Sequence, residues 1–371
     1  MNKKITVIYG DGVGFEVTQQ SVKVLEAVAE VFGHQFIFNQ ALLGSEAITA
    51  TGSALPNATI EQALESDAVL FGAEALPKFE TSHHSKDKQE PAIFGLRKAL
   101  QLYAQVRPVK PNPGLSHLSP IKAKLLEKVD FLIVRELLGG LYSNHKITSD
   151  DGSTATDFCE YNKADISRIT RLAFKEAQKR RKKLTLVDKA DVLETSKLWR
   201  KVVQQTAKEF KDVEVTYLFA DQAATQIVLN PAQFDVILTE SLLGDILGQL
   251  ASVLNGPAGM SPFASYGDSI GLFAPVHGAM PQMAGKDIAN PIGAILSATL
   301  MLEYFGLLEE AQAVRAAIKW TQSGGFVAKE IDPINYYYTS TIGDLICDYI
   351  YGKVPDSVNK NNIEIRKSTI I

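Results

Sequence analysis

Apolar and polar positions along this chain follow two rhythms. Short, almost unbroken apolar runs, such as Ala68-Val69-Leu70-Phe71, Phe131-Leu132-Ile133-Val134, Leu184-Thr185-Leu186-Val187 and Phe234-Asp235-Val236-Ile237-Leu238, have strand length and predict buried strands. The first such run closes at Gly10-Asp11-Gly12, and Gln35-Phe36-Ile37-Phe38 and Val213 to Phe219 add two more strands. Between them, helical spacing predicts helices over Phe15 to Val31, where Val17, Val22, Val24, Leu25 and Val28 are apolar, and over Thr59 to Ser66, Asn162 to Lys183 and Ser196 to Phe210. Two apolar helices, Ile292 to Phe305 and Leu308 to Thr321, follow near the end, and the last twenty residues read as a polar surface tail. Strands alternating with helices argue an α/β fold with a largely parallel sheet.

Composition narrows the class. The chain has 371 residues, 46% apolar and 22% charged, with a net charge of −4, a globular profile with length for two domains. That balance points away from nucleic acid and membrane as partners. The N-terminal apolar run is too short for a signal-peptide core, so the expected location is cytoplasmic. Cys159 and Cys347 are far apart and lack metal-ligand spacing, which favours reduced thiols. The basic run Lys179-Arg180-Arg181-Lys182-Lys183 reads as positive charge at a helix C-terminus rather than a nucleic-acid patch. His83-His84 in the polar stretch from Thr81 to Gln89 reads as an exposed loop rather than a metal site.

Candidate chemistry gathers where strands end. Phe234–Leu238 is expected to deliver Asp245 into the first turn of the next helix, aimed at the crevice where α/β sheets bind ligands, with Gln249 one turn on and on the same face. A carboxylate and an amide oxygen there suit a hard divalent cation, the amide weakly. Arg97 on a helix, Arg107 opening an extended stretch before a proline, and Arg135 ending a strand suit a small substrate with several carboxylates, or else serve as ordinary ion pairs. Lys189, just past a strand and flanked by Asp188 and Asp191, is placed either for proton transfer or for a structural ion pair. Asp221 is expected at the turn after another strand. The stretch from Phe273 to Pro291, holding His277 and several prolines and glycines, reads as a loop presenting backbone groups to a ligand. Gly10-Asp11-Gly12-Val13-Gly14 matches the dinucleotide fingerprint only superficially and reads as a tight strand-to-helix turn.

Six blocks, in order, carry a resemblance. They are Gly10-Asp11-Gly12-Val13-Gly14; Leu96-Arg97-Lys98 with Val106-Arg107-Pro108; Val134-Arg135-Glu136 with Gly139-Gly140-Leu141-Tyr142; Val187-Asp188-Lys189-Ala190; Gly244-Asp245-Ile246-Leu247; and Pro275-Val276-His277-Gly278 with Ile288-Ala289-Asn290-Pro291. Over nearly its full length the chain resembles the β-decarboxylating dehydrogenases, the isopropylmalate and isocitrate dehydrogenase family. Ile93-Phe94, apolar where isocitrate enzymes are polar, make it more similar to the isopropylmalate branch.

The resemblance implies a discontinuous two-domain α/β fold with a mixed, largely parallel sheet, not a Rossmann fold. It places a cofactor-side domain at 1–102 plus 257–371 and a substrate, metal and dimerisation domain at 103–256, with a protruding arm near 142–160. It implies that Arg97, Arg107 and Arg135 bind substrate carboxylates while Ile93 and Phe94 meet the alkyl group. Lys189 would handle the hydroxyl proton, Tyr142 would protonate the product carbanion, and Asp221 and Asp245, with Gln249, would hold Mg²⁺ or Mn²⁺. His277, Gly278, Gln282, Asn290 and Asp191 fall at cofactor positions for NAD, with NADP left open. A homodimer with shared sites is implied, Lys189 and Asp221 serving the partner subunit's site.

The departures cluster on the metal and cofactor side. Gln249 stands for an aspartate of the metal site, Asp191 for an asparagine near the nicotinamide, Ala274 for a glutamate, and Gln282 for the acid that reads the ribose. Ala75-Leu76 replaces a Gly-Gly pair, Leu138 a threonine and Phe15 a proline. Three functions follow as expectations: oxidative decarboxylation of a 3-alkylmalate such as 3-isopropylmalate; a non-catalytic or regulatory paralogue that binds a di- or tricarboxylate; or a dehydrogenase for a different 3-substituted malate in a specialised pathway.

Overall fold

The computed structural model describes residues 1–75, 91–142 and 146–353. His83-His84, Leu76 and all but the first two residues of the C-terminal tail lie outside them. In chain order the elements begin β1 (Asn2–Gly10), α1 (Gly14–Phe32), β2 (Gln35–Gln40), α2 (Ser45–Thr51), α3 (Asn57–Leu64), β3 (Ala68–Ala73) and α4 (Ala92–Ala99). Then come β4 (Ala104–Val109), α5 (Ala123–Leu126), β5 (Phe131–Glu136), β6 (Lys146–Thr148), β7 (Ala155–Asp157), α6 (Lys163–Gln178), β8 (Lys183–Asp188), α7 (Glu194–Ala207), β9 (Glu214–Phe219), α8 (Ala220–Leu229), β10 (Val236–Thr239) and α9 (Ser241–Ser252). The chain closes with β11 (Pro262–Tyr266), β12 (Gly271–Pro275), α10 (Ile292–Tyr304), α11 (Leu308–Ser323) and α12 (Thr339–Ile350).

These elements form two compact units. The first holds Met1–Leu100, Pro257–Ala264 and Asp268–Ile371; the second holds Gln101–Gly256 and Ser265–Gly267. In the first, the strand order runs β2-β1-β3-β12, all parallel where paired, and α1 packs on α10 and α12. In the second the order is β4-β5-β10-β8-β9, with β4 antiparallel to β5 and the remaining pairs parallel. The sheet is therefore mixed and largely parallel, as its apolar runs and strand–helix alternation predict.

Core packing follows the helical period. On α6, Ile166, Ile169, Ala173, Phe174 and Ala177 fall on one face and pack with Trp199, Val202, Leu184, Leu186 and Val236. Each large apolar side chain so buried contributes about 1.5–3 kcal/mol. Buried Val236, Ile237 and Leu238 show why β10 reads as a continuous apolar run: both of its faces are covered.

Several local expectations need correction. The helix predicted to Lys183 ends at Gln178, and Lys183 opens β8. Of its basic residues Lys179 stands at the helix C-cap, whereas Arg180 pairs with Asp130 and with fully buried Asp235, and Lys182, at φ +59°, turns the chain. Asp221 lies in the first turn of α8, not in a preceding turn, and Asp245 sits in the second turn of α9, because β10 ends at Thr239 and Glu240 caps the helix. Arg107 lies inside strand β4 rather than opening it. The polar stretch after Asn144 contains the short hairpin β6–β7. Among the described residues, no helix is long and apolar enough to cross a membrane.

Candidate active site

The second unit brings Arg107, Arg135, Tyr142 and Asp245 together. Antiparallel register sets Gln105 opposite Arg135 and Arg107 opposite Ile133, so the two arginines stand on one sheet face as diagonal neighbours. Helix α9 crosses that face with glycines four residues apart. A Cβ on Gly244 would lie 2.6 Å from Arg135 Cγ, and one on Gly248 would lie 2.8 Å from Arg107 Nη1. The missing side chains let both guanidiniums reach the carboxylate that the same helix carries. Arg135 Nη1 donates to Asp245 Oδ1 at 2.7 Å, Arg107 Nη2 to the same oxygen at 3.2 Å, and the Tyr142 hydroxyl to Oδ2 at 3.2 Å. Arg135 also lies 5.4 Å from the Tyr142 ring centroid, a cation–π contact.

Two buried cations here face one carboxylate. Arg107 and Arg135 are 8% and 2% exposed, whereas the Asp245 side chain is 33% exposed. Burial, and then the neighbouring Arg135 charge, push Arg107 down to about 10, with Asp245 opposing. Burial and the Asp245 charge raise the Tyr142 phenol. Arg107 Nη1 and Arg135 Nε make no hydrogen bond among the described residues. Two guanidiniums thus share one carboxylate within the cluster.

A second cluster in this unit surrounds Lys189, directly after β8. Its Nζ lies 3.0 Å from Asp191 Oδ2 and 3.4 Å from Asp221 Oδ1, and 5.3 Å from the Phe219 ring centroid. The hydrogen bond from Lys189 to Asp191, with the Asp221 charge, raises the lysine. Desolvation works upward on Asp221, but backbone N–H groups and Lys189 outweigh it and hold its carboxyl low. The turn is pinned from below. The Lys189 N–H donates to Ser196 Oγ at 3.1 Å, and Arg200 grips buried Asp188 bidentately at 2.6 and 3.0 Å.

For a divalent cation the available donors are hard oxygens, which suit Mg²⁺ or Mn²⁺: Asp245, Gln249 one turn later on α9, and Asp221 on α8. Gln249 and Asp221 are exposed. Among the described residues no three acidic, histidine or cysteine side chains gather into a ligand group.

In the first unit, α4 carries Ile93, Phe94 and Arg97. Glu74, at the end of β3, caps that helix by accepting from the N–H groups of Ala92 at 2.6 Å and Ile93 at 3.0 Å. Arg97, buried, lies 5.6 Å from the Phe94 ring centroid and 5.9 Å from that of Phe263. The glycine turn locks onto the His277 loop through a 2.8 Å bond from the Val13 N–H to the Ala279 carbonyl. Gly12, at φ +61°, has that carbonyl 2.0 Å from where a Cβ would stand, so no other residue fits.

Cofactor candidates divide by exposure. Gly278 and Gln282 are exposed. Asn290 is buried, its amide nitrogen donating to Glu330 at 2.7 Å and its oxygen accepting from the Ile292 N–H at 3.1 Å, so its side chain is spent inside the fold. His277 is buried, its Nδ1 2.9 Å from the Gly278 carbonyl and its Nε2 without a partner among the described residues; burial lowers its pKa. Ala274 is fully buried in β12.

Sequence reasoning passed over several residues that shape the site. Gln105 accepts from Arg107 Nε at 2.7 Å. Glu240 caps α9 through the N–H groups of Leu242 and Leu243, and Glu136 accepts from those of Leu138 and Gly139. Burial pushes Glu136 up to about 7, against the pull of those N–H groups. The one available signal was the Gly244-x-x-x-Gly248 spacing, which marks a helix face built for close approach.

A family model described as isocitrate/isopropylmalate dehydrogenase matches residues 4–346. A 3-isopropylmalate dehydrogenase of Helicobacter hepaticus is 44% identical over 331 residues, covering 88% of this chain and 92% of that protein. The crystal structure of an isocitrate dehydrogenase from Methylococcus capsulatus superposes with a TM-score of 0.85 at 31% identity, covering 94% of this chain and 99% of that one. That of a beta-decarboxylating dehydrogenase from Thermococcus kodakarensis, in its apo form, gives 0.78 at 34% identity, covering 94% and 96%. The chain belongs to the isocitrate/isopropylmalate dehydrogenase family, whose members are oxidative decarboxylating dehydrogenases.

Proposed function

We propose that the protein oxidatively decarboxylates a 3-alkylmalate, with 3-isopropylmalate the leading substrate, using NAD and Mg²⁺ or Mn²⁺. The observation that carries this is the pair of buried guanidiniums, Arg107 and Arg135, on the single Asp245 carboxylate beside Tyr142. On α4 of the first unit, Arg97 supplies a cation and Ile93 and Phe94 apolar side chains, residue types that suit a carboxylate and an alkyl group. Lys189 takes the hydroxyl proton and the Tyr142 phenol returns one to the carbon left by CO₂. Bound metal, held by Asp245, Asp221 and Gln249, would supply Lewis-acid polarisation of the substrate oxygens, and NAD would accept the hydride.

A homodimer with shared sites belongs to this reading. The apolar side chains of Leu229 on α8 and Ile246 on α9 are 59% and 58% exposed on two helices that pack together, a surface suited to a second copy of the chain. Lys189 and Asp221 would then serve the partner subunit's site and complete the metal's oxygen shell.

A panel assay tests the function. Purified protein with Mn²⁺ and NAD is expected to generate NADH from isopropylmalate faster than from benzylmalate or unsubstituted malate. A preference for the benzyl compound would move the substrate to another 3-substituted malate. Tight carboxylate binding without NADH from any of them would identify a binding paralogue instead.

Gln249→Asp probes the metal side. A second carboxylate one turn from Asp245 is expected to raise apparent Mn²⁺ affinity by about tenfold or more. An unchanged Mn²⁺ dependence of turnover would place Gln249 away from the metal.

A further inference from the structure

The Tyr142 turn and the Asp245 helix are separate pieces of backbone, and besides Arg135 a second buried side chain, Tyr161, joins them. Tyr161, 8% exposed and just before α6, donates from its hydroxyl to Glu240 Oε2 at 2.9 Å and accepts from the Ser241 N–H at 3.0 Å. Glu240 is the cap of α9 and Ser241 its first residue, so both bonds fix the phenol to the start of the helix that carries Asp245. The other side of the ring meets the turn leading to Tyr142. A Cβ on Gly139 would fall 2.8 Å from ring atoms Cδ1 and Cε1, and one on Gly140 would fall 2.1 Å from the phenol oxygen. Backbone bonds hold that turn to the same segment, since the Gly140 N–H donates to the Glu160 carbonyl at 3.0 Å. The ring itself is immobilised edge-on against Trp199, with centroids 5.5 Å apart.

We propose that Tyr161 is a positioning residue for the reaction: its phenol sets the spacing between the Gly139–Gly140 turn, and so Tyr142, and the helix that carries Asp245. The inference rests on the proposed function for its kinetic consequence but not for its geometry. Helix α9 is held independently by buried Leu247 and Ala251 and by the two N–H groups that Glu240 caps. The turn is tied at Leu138 and Gly139 by Glu136 and at Gly140 by the Glu160 carbonyl. Its two glycines rest on the Tyr161 ring, so a shift of that ring is passed on to Leu141 and Tyr142 beyond. Burial, with the Glu240 charge second, drives the Tyr161 pKa far upward, so the hydroxyl keeps its proton and its donor role at working pH. Tyr161 thus acts through Tyr142 and does not itself meet substrate.

The test is Tyr161→Phe, alone and combined with Tyr142→Phe. Loss of one hydroxyl is expected to lower kcat by about ten- to a hundredfold through misplacement of the proton donor, with KM within about twofold because the arginines stay in place. The double variant is expected to be no slower than Tyr142→Phe alone. Losses that multiply in the double variant would overturn the proposal. So would a crystal structure of Tyr161→Phe in which the Tyr142 hydroxyl keeps its bond to Asp245. That crystallographic readout is independent of turnover: a wild type that oxidises none of the malates refutes the proposed reaction, while displacement of Tyr142 still decides the role of Tyr161. If Tyr161→Phe fails to fold, Glu240→Gln, which replaces the charged acceptor facing the phenol with an amide, is expected to give the same kcat-selective loss. A loss in KM alone from that variant would overturn the proposal.

Discussion

Replacing Lys189 with Met is expected to lower kcat by about 10²–10⁴-fold while substrate affinity changes little. Met keeps an unbranched stem of similar length, so the packing under Phe219 and the turn held by Ser196, Asp188 and Arg200 survive. What disappears is the amine proposed to take the hydroxyl proton. The pH profile adds a second check. Asp191 and Asp221 both stabilise the ammonium form, which raises the lysine and shifts to higher pH the range in which it is a free base. Asp191→Asn removes the larger of those influences, so the limb of kcat/KM governed by Lys189 is expected to move to lower pH. A Lys189→Met enzyme with wild-type kcat, or an Asp191→Asn profile that stays in place, would remove Lys189 from the role of base.

How much of this was legible depended on whether the information was local. The buried run in β10 and the helix from Phe15 onward are set by side-chain periodicity, and the structure has β10 at Val236–Thr239 and α1 at Gly14–Phe32. Helix α12 left no comparable impression. It buries Ile342, Leu345 and Ile346 yet opens Thr339-Ser340-Thr341, residues that score weakly as helix formers. Strands β6 and β7 are three residues each, too short for alternation to register. The predicted end of α6 was wrong for a tertiary reason: Arg180 and Arg181 both turn inward to the buried Asp235 carboxylate, a long-range attraction invisible to local charge counting.

The same division runs through the site. Arg135 stood out because charge at the end of an apolar strand is locally anomalous, and Asp245 because it is the lone acid on a largely apolar helix. Their meeting did not, because it depends on β4 running antiparallel to β5 and on two helical glycines that show only as absent atoms. The side chains that hold the site in shape, Gln105, Glu136, Tyr161 and Glu240, are ordinary polar residues in sequence. Burial and pairing give them their importance, and both are properties of the folded chain.

Asp245→Asn is expected to abolish measurable turnover and to destabilise the fold by about 1–3 kcal/mol. That is less than the 3–5 kcal/mol typical of breaking a fully buried pair, because this carboxylate is a third exposed and partly screened. Two buried guanidiniums would then face each other with no counter-charge from the asparagine. Arg107, already pushed down to about 10 by burial and by Arg135, would be pushed further. An added anion can supply the missing charge. Malate or sulfate is therefore expected to raise the melting temperature of Asp245→Asn more than that of the wild type, since in the variant the anion replaces a lost carboxylate and in the wild type it must compete with one. Equal stabilisation of both proteins would mean that the anion binds elsewhere, and that Arg107 and Arg135 are a structural pair for Asp245 rather than the seat of a substrate carboxylate.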